Sequence, residues 1–217
     1  QQSEWAFRAT LSSARFRNLR LDAGMEARAA RWDFRGRILD LLGAAYHFDR
    51  DPFTNTRNDT EGPLQKGEGD LFGHSYRLEH FLWRGFMQAW WAKDRWEAGL
   101  ALRYSTSRLG RDGKFRNERY PGKSFGPGPE QAYTGWGAKA GLGFRISGRA
   151  WLQGFFGLGS RPPLPRDVYI DPRQHNRTFP EDGNEELLGG SLNLHLRHPR
   201  LKGRLTAYWQ RFTGGRS

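Results

Sequence analysis

Residues 133–147 read YTGWGAKAGLGFRIS, and their alternation decides the fold. Thr134, Trp136, Ala138, Ala140, Leu142, Phe144 and Ile146 fall on one side, and Tyr133, Gly135, Gly137, Lys139, Gly141, Gly143 and Arg145 on the other. A side-chain period of two belongs to a strand; a helix would repeat every 3.6 residues. Arg95 to Ser105 repeats the pattern, with Trp96, Ala98, Leu100, Leu102 and Tyr104 opposite Glu97, Gly99, Ala101 and Arg103. The same alternation runs through Trp5 to Ser13, Leu19 to Ala29, Phe81 to Trp91, Leu188 to Leu196 and Leu201 to Trp209. An eighth strand, Ala150 to Gly159, is apolar on both sides, so its orientation stays open.

Across the seven assignable strands the apolar face has 39 positions, none of them Asp, Glu, Lys or Arg. The opposite face carries 12 charged residues among about 35, including Arg84, Glu97, Arg103, Lys139 and Arg145. A soluble sandwich alternates too, so size decides which face is inside. The polar face mixes Gly, Ala and Ser with long charged side chains, whereas the apolar face places rings such as Trp5, Trp83, Trp91, Trp96, Tyr104, Trp136 and Trp209 near strand ends. Aromatic girdles around an apolar band, with a polar interior, describe an antiparallel transmembrane β-barrel, and strands of about 9 to 11 residues span a bilayer. Leu100, Leu142 and Leu205 are therefore expected on the convex, lipid-facing side.

Composition agrees. Only 36% of the 217 residues are apolar, yet aromatics reach 14% and glycines number 28. That is too few apolar residues for a well-filled soluble core and too many aromatics for disorder. With no cysteine, a disulfide scaffold, a thiolate metal site and a cysteine nucleophile are excluded. No run of about 18 apolar residues is present to form a membrane helix. The net charge of +12 raises nucleic acid or polysaccharide as partner of a basic soluble β domain, which is the alternative reading. Arginine supplies 29 of the 35 cations, as a GC-rich genome would also give. The strand cations lie opposite the rings, and those elsewhere, such as Arg17, Arg50, Arg116 and Arg173, read as scattered, so no nucleic-acid track is expected.

Gaps between strands alternate short and long. Short turns fall near Arg15 to Asn18, Ala92 to Asp94, Ser147-Gly148 and His198 to Arg200; long connections run over about Arg31 to Ser75, Thr106 to Ala132 and Ser160 to Leu187. In outer-membrane barrels the short turns face the periplasm and the long loops the exterior. The first strand then runs inward and the eighth outward, which places both ends outside the cell if eight strands close alone. Gln1-Gln2-Ser3-Glu4 carries no signal-peptide pattern, and Thr213-Gly214-Gly215-Arg216-Ser217 lacks the terminal aromatic of a final strand. The expectation is about eight strands from the interior of a larger barrel.

Several stretches carry a resemblance. DLLGAAYHFD (Asp40 to Asp49) looks like the start of a long external loop, FLWRGFMQAWW (Phe81 to Trp91) like the strand after it, and RNERYPGKSFG (Arg116 to Gly126) like the next loop. GLGSRPPLPRDVYIDP (Gly157 to Pro172), followed by NEELLGGSLNLHLRHPRLKGRLTAYWQRF (Asn184 to Phe212), is similar to a strand leaving through a basic-proline corner, a loop and an acidic-glycine hairpin. Together they resemble the barrel of TonB-dependent outer-membrane receptors over most of the chain. The resemblance implies a 22-stranded barrel in the outer membrane of a Gram-negative bacterium, plugged by an N-terminal domain. It also implies import of a scarce nutrient such as a siderophore, glycan or peptide, energised through TonB. Residues 1–217 read as part of that barrel domain, with no plug and no signal peptide, so TonB would act only through other parts of the parent chain. Outer-membrane lipid and an unidentified imported ligand are the expected partners.

Enzyme signatures fail, and no catalytic residue, cofactor or metal site is assigned. Gly122-Lys123-Ser124 resembles the end of a phosphate loop, but Asn117 stands where the earlier glycine belongs. Asp49-Arg50-Asp51 has calcium-loop spacing, but Phe53 and Thr54 occupy the next ligand and glycine positions. His47, His74, His80, His175, His195 and His198 form no compact ligand set. Two groups remain. Arg84, Glu97, Arg103, Lys139 and Arg145 line the lumen, either as a path for an anionic solute or as charge pairs with neighbouring strands and a plug. Tyr46, Phe48, Tyr120, Phe125 and Tyr169, with Phe53, Phe115 and Phe179, could stack on a ligand in the external loops or pack loop on loop.

Overall fold

The computed structural model describes residues 2–13, 18–179 and 183–214. Its strands are β1 (Gln2–Ser12), β2 (Leu19–Arg37), β3 (His47–Phe48), β4 (Gln65–Lys66), β5 (Leu71–Lys93), β6 (Trp96–Gly113), β7 (Gly126–Pro127), β8 (Gln131–Ser147), β9 (Ala150–Arg161), β10 (Glu185–His198) and β11 (Leu201–Thr213). One helical turn, α1 (Pro165–Val168), interrupts the last long loop. Eight long strands pair antiparallel in the order β1-β2-β5-β6-β8-β9-β10-β11. Each long strand therefore lies beside its neighbour in sequence, the meander that short turns and returning loops produce.

Register carries the sequence alternation from strand to strand. Trp91 opposes Ala98, and Ala98 opposes Leu142; Tyr104 opposes Trp136, and Leu194 opposes Leu205. The apolar positions thus form one continuous outer face. Leu100, Leu142 and Leu205 are 50%, 55% and 72% exposed, which a closed dry core would not permit. The sheet curves toward the other face, where the charged strand residues and a cavity of about 640 Å³ lie. Two rows of rings border the outer band. Trp83 and Tyr104 lie 6.2 Å apart toward the long-loop end, and Trp96 and Phe144 lie 4.6 Å apart toward the short turns.

The register also orients β9, the strand whose faces the sequence left open. Leu152 opposes Phe144 and Leu194, so Leu152, Phe156 and Leu158 face outward while Trp151, Gln153 and Phe155 face the lumen. The strand read as apolar on both faces because rings also line the interior: Trp151 stacks on His195 at 4.8 Å, and Phe155 lies over Gly141.

Strands extend well past the expected boundaries on the long-loop side. β5 has 23 residues and β2 has 19, against 11 apparent in each from alternation. The extensions put charges on the outward face, which ends the apolar pattern without ending the ladder, because the charges pair across strands. Arg31 opposes Glu79 and donates to its carboxylate at 2.9 Å; Asp33 opposes Arg77 and accepts at 2.7 Å. The long loops shrink accordingly to residues 38–70, 114–130 and 162–184.

At the opposite end the hairpins are tight. Lys93 pairs with Trp96 around Asp94, whose φ of 55° is the left-handed conformation that Asp tolerates and such turns use. Ser147 pairs with Ala150 and His198 with Leu201 in the same way. Of the expected turn at Arg15 to Asn18, residues 15–17 lie outside the described residues.

Candidate functional site

The lumen face divides into two unlike halves. On β1, β2 and β5 the charges are paired. Glu26, nearly buried, accepts from Arg8 Nη2 and Arg84 Nη2, both at 2.7 Å, and Arg28 lies 3.8 Å away. Two rows below, Asp22 accepts from Gln88 Nε2 at 2.9 Å and Arg20 Nε at 3.1 Å. Arg84, a sequence-predicted lumen residue, is thus one arm of a carboxylate-centred cluster. The registers Arg8–Glu26 and Glu26–Arg84 place these groups directly opposite one another, the arrangement in which cross-strand charges interact most strongly.

From β6 onward the lumen is smoother. Glycines 99, 137, 141, 157, 159 and 189 pave the cavity, and aromatic rings lie flat on part of that pavement. A Cβ on Gly99 would sit 2.5 Å from the Trp90 ring, and one on Gly141 would sit 2.9 Å from Phe155. Each glycine therefore makes room for a ring from the adjacent strand. Arg103 folds over Gly137 and Lys139 rises beside Gly157. Glu97 and Arg145 face each other at 3.9 Å, both more than half exposed. All five sequence-predicted lumen residues stand on this one face; Arg84 holds Glu26 at 2.7 Å, while Arg145 meets Glu97 only at 3.9 Å. Sequence reading missed Phe86, Trp90, Phe155 and Tyr208 among the lumen side chains. Phe86, Trp90 and Tyr208 alternate with outward Met87, Trp91 and Trp209, so parity pointed to these three, and to Phe155 once β9 was oriented.

Above the band, the three long loops form one cap over the lumen side. Val168 and Tyr169 pack against Tyr76, Leu78 and Leu109, with Trp32 and Tyr133 alongside. Tyr169 is 3% exposed, so this ring stands in a core rather than on a ligand-facing surface, and burial pushes its hydroxyl up to about 12. Arg111, also buried, donates from Nε to the Pro172 carbonyl at 2.7 Å and from Nη1 to the Ser124 carbonyl at 3.0 Å, tying two loops to β6. Arg116 joins the loop over 114–130 to that over 38–70 through Glu61 at 2.6 Å, and lies 4.8 Å above the Phe125 ring. Tyr120 meets His175 edge-on at 4.5 Å. Tyr46 and Phe48 form an edge-on pair at 5.0 Å and stay nearly half exposed.

The carboxylates of the Asp49-Arg50-Asp51 run serve the loop backbone. Asp49 Oδ1 accepts from Asn58 Nδ2 at 2.9 Å and Gly73 N at 2.8 Å; Asp51 Oδ1 accepts from Phe53 N and Thr54 N, both at 2.9 Å. The Thr54 and Phe53 amides hold the Asp51 carboxyl below its ordinary value. Among the described residues no group of three or more His, Asp or Glu is arranged to hold a metal.

The cap carries a pH dependence. Burial lowers the pKa of His175 from 6.5, and its Nδ1 accepts from Arg177 N at 3.3 Å, a bond only the neutral ring can make. Burial likewise lowers that of His74. A histidine whose folded value is depressed stabilises the fold fully above the unfolded value and loses that contribution as pH falls through the folded one. Acidification from about pH 7 toward 5 should therefore speed amide exchange in residues 162–179, and His175→Gln should flatten that response. The check is hydrogen exchange at several pH values, corrected for the intrinsic rate.

No family model matches the sequence, and no curated protein matches it. Among solved structures the chain is similar to a copper transporter, OprC, with a TM-score of 0.66 and 13% identity. The match covers 96% of this chain. Its fold is that of an outer-membrane barrel wall. The same match covers 30% of the transporter, so this chain spans under a third of that protein's length. At this identity the likeness is one of fold.

Proposed function

We propose that the chain forms part of the wall of a TonB-dependent import receptor in the outer membrane of a Gram-negative bacterium. The observation that carries this reading is the uncharged outer face, continuous over eight strands and bordered by rings, opposite a lumen face of arginines, carboxylates and glycines. Such a wall excludes lipid from a polar interior through which a solute can pass. The folded cap of three long loops supports a receptor role, since a rigid scaffold presenting loops is where recognition residues collect. The sequence motifs quoted above support the TonB-dependent branch and a 22-stranded parent barrel.

Copper is named for the structural relative, and nothing on this wall favours carrying it over. Met25 and Met87, the chain's two thioethers and the soft ligands copper would take, both stand on the outer face about half exposed. Tyr46, Phe48, Phe53 and Phe125 are the loop aromatics whose rings remain open to an incoming ligand, Phe53 most of all at 95% exposed.

The test is growth of the producing bacterium, with and without the intact protein, under separate limitation for iron, copper and oligosaccharide carbon. The expected result is a protein-dependent advantage in one medium that disappears when TonB is deleted. Recovery of the protein in the soluble fraction, or an uptake advantage that survives loss of TonB, would overturn the reading.

A further inference from the structure

The net charge of +12 is not spread over the molecule. The three long loops together carry ten cations against thirteen carboxylates. The described short turns, 93–95, 148–149 and 197–202, carry Lys93, Arg95, Arg149, Arg197, Arg200 and Lys202 against the single acid Asp94. All six are exposed, and none makes an ion pair with a described residue. A compositional surplus of arginine would fall on both ends alike, so the scatter expected from sequence does not hold at this end.

Position identifies what the charge meets. Lys93 follows Trp91 at the next outward position of β5, and Arg95 precedes outward Trp96. Leu201, 71% exposed, lies between Arg200 and Lys202. Lys93 thus stands where the lipid-facing apolar band and its girdle end, at head-group depth, and the other five cations ring the same level, Arg197 and Lys202 at lumen-side positions of their ladder and Arg95 beside Arg145 and Trp151. There, long basic side chains keep their stems in apolar surroundings and reach phosphates with their tips.

We infer that the short-turn rim binds the phosphodiester head groups of anionic phospholipids in the leaflet it faces. The inference rests on the membrane-barrel reading. Three hairpins each offer at least one unpaired cation beside apolar rim residues, so several head groups can be held at once, and an anionic leaflet anchors the barrel at a defined height. Two-residue turns suit the task, because they fix their cations within a residue or two of the ladder.

The test uses the intact protein reconstituted in vesicles, with tryptophan quenching by brominated phosphatidylglycerol or brominated phosphatidylcholine as probe. At physiological salt, wild type should bind the anionic lipid several-fold more tightly. The triple change Arg95→Gln, Arg149→Gln and Arg200→Gln should abolish that preference. A loop-end control, Arg119→Gln, Lys123→Gln and Arg173→Gln, removes the same charge from exposed positions and should keep the preference. Faster migration of unheated than heated protein on a gel checks that each variant is folded. No preference in wild type, or equal losses in both triple variants, overturns the proposal, and the first result leaves the rim to an acidic polypeptide. Quenching by neither lipid would sink the membrane reading itself, which keeps the two failures distinct.

Discussion

Arginine in place of Leu142 will cost the folded barrel roughly 2 to 4 kcal/mol in a bilayer. Leu142 stands outward in mid-strand, between Ala98 and Gly154 in register, with no polar neighbour at its level of the outer face. In lipid, a guanidinium there must either shed its hydration or drag water and head groups inward. In a soluble module the same exposed position would tolerate arginine within about 0.5 kcal/mol. The adjacent change, Gly141→Arg, acts by another cause: its Cβ would meet the Phe155 ring at 2.9 Å, so its penalty is displacement of that ring into an open lumen. Urea unfolding of the intact protein from vesicles, compared with detergent micelles, separates the two. The Leu142 penalty should shrink in micelles that hydrate the site, and the Gly141 penalty should not; similar behaviour of both would count against the face assignment.

Arg111→Leu will loosen the cap without unfolding the wall. The side chain is 2% exposed and holds the Ser124 and Pro172 carbonyls, while its guanidinium lies 5.5 Å from the Tyr76 ring. Burial lowers the Arg111 pKa, yet the group stays charged, since arginine starts far above neutrality. Removing it strands two inward-turned acceptors at about 1 to 3 kcal/mol each, partly recovered if water enters. Amide exchange in residues 114–130 and 162–179 should therefore accelerate by about tenfold or more, with the lower halves of β6 and β8 unchanged. Exchange equal to wild type in both loops would show that the hydrophobic cluster around Leu109, and not Arg111, holds the cap closed.

The wall and the loop cap differ in how far they can be read in advance. Period-two alternation made strands β6 and β8 legible residue by residue, because lipid on one side and lumen on the other impose opposite chemistries on neighbouring positions. The upper halves of β2 and β5 were hidden. Arg31, Asp33, Arg77 and Glu79 look like loop residues one at a time and become strand residues only as pairs across a register that sequence does not state. The orientation of Ala150 to Gly159 failed for a related reason: Phe155 is lumen-facing because Gly141 on the next strand leaves space for it, a fact about two strands at once.

Local chemistry, then, determined what is strictly local: strands, the uncharged face, short turns against long loops, and the absence of a phosphate loop or compact histidine set. Tertiary structure alone decided the roles of single side chains. Nothing near Tyr169 in the chain sets it apart from Tyr46, yet one is sealed against Tyr76 and Leu109 while the other stays open. Likewise, nothing beside Arg84 announces Glu26, which lies 58 residues away along the chain and 2.7 Å away in space. Burial and charge pairing depend on which strands become neighbours, and hydrogen-bond register sets that only after the chain has folded.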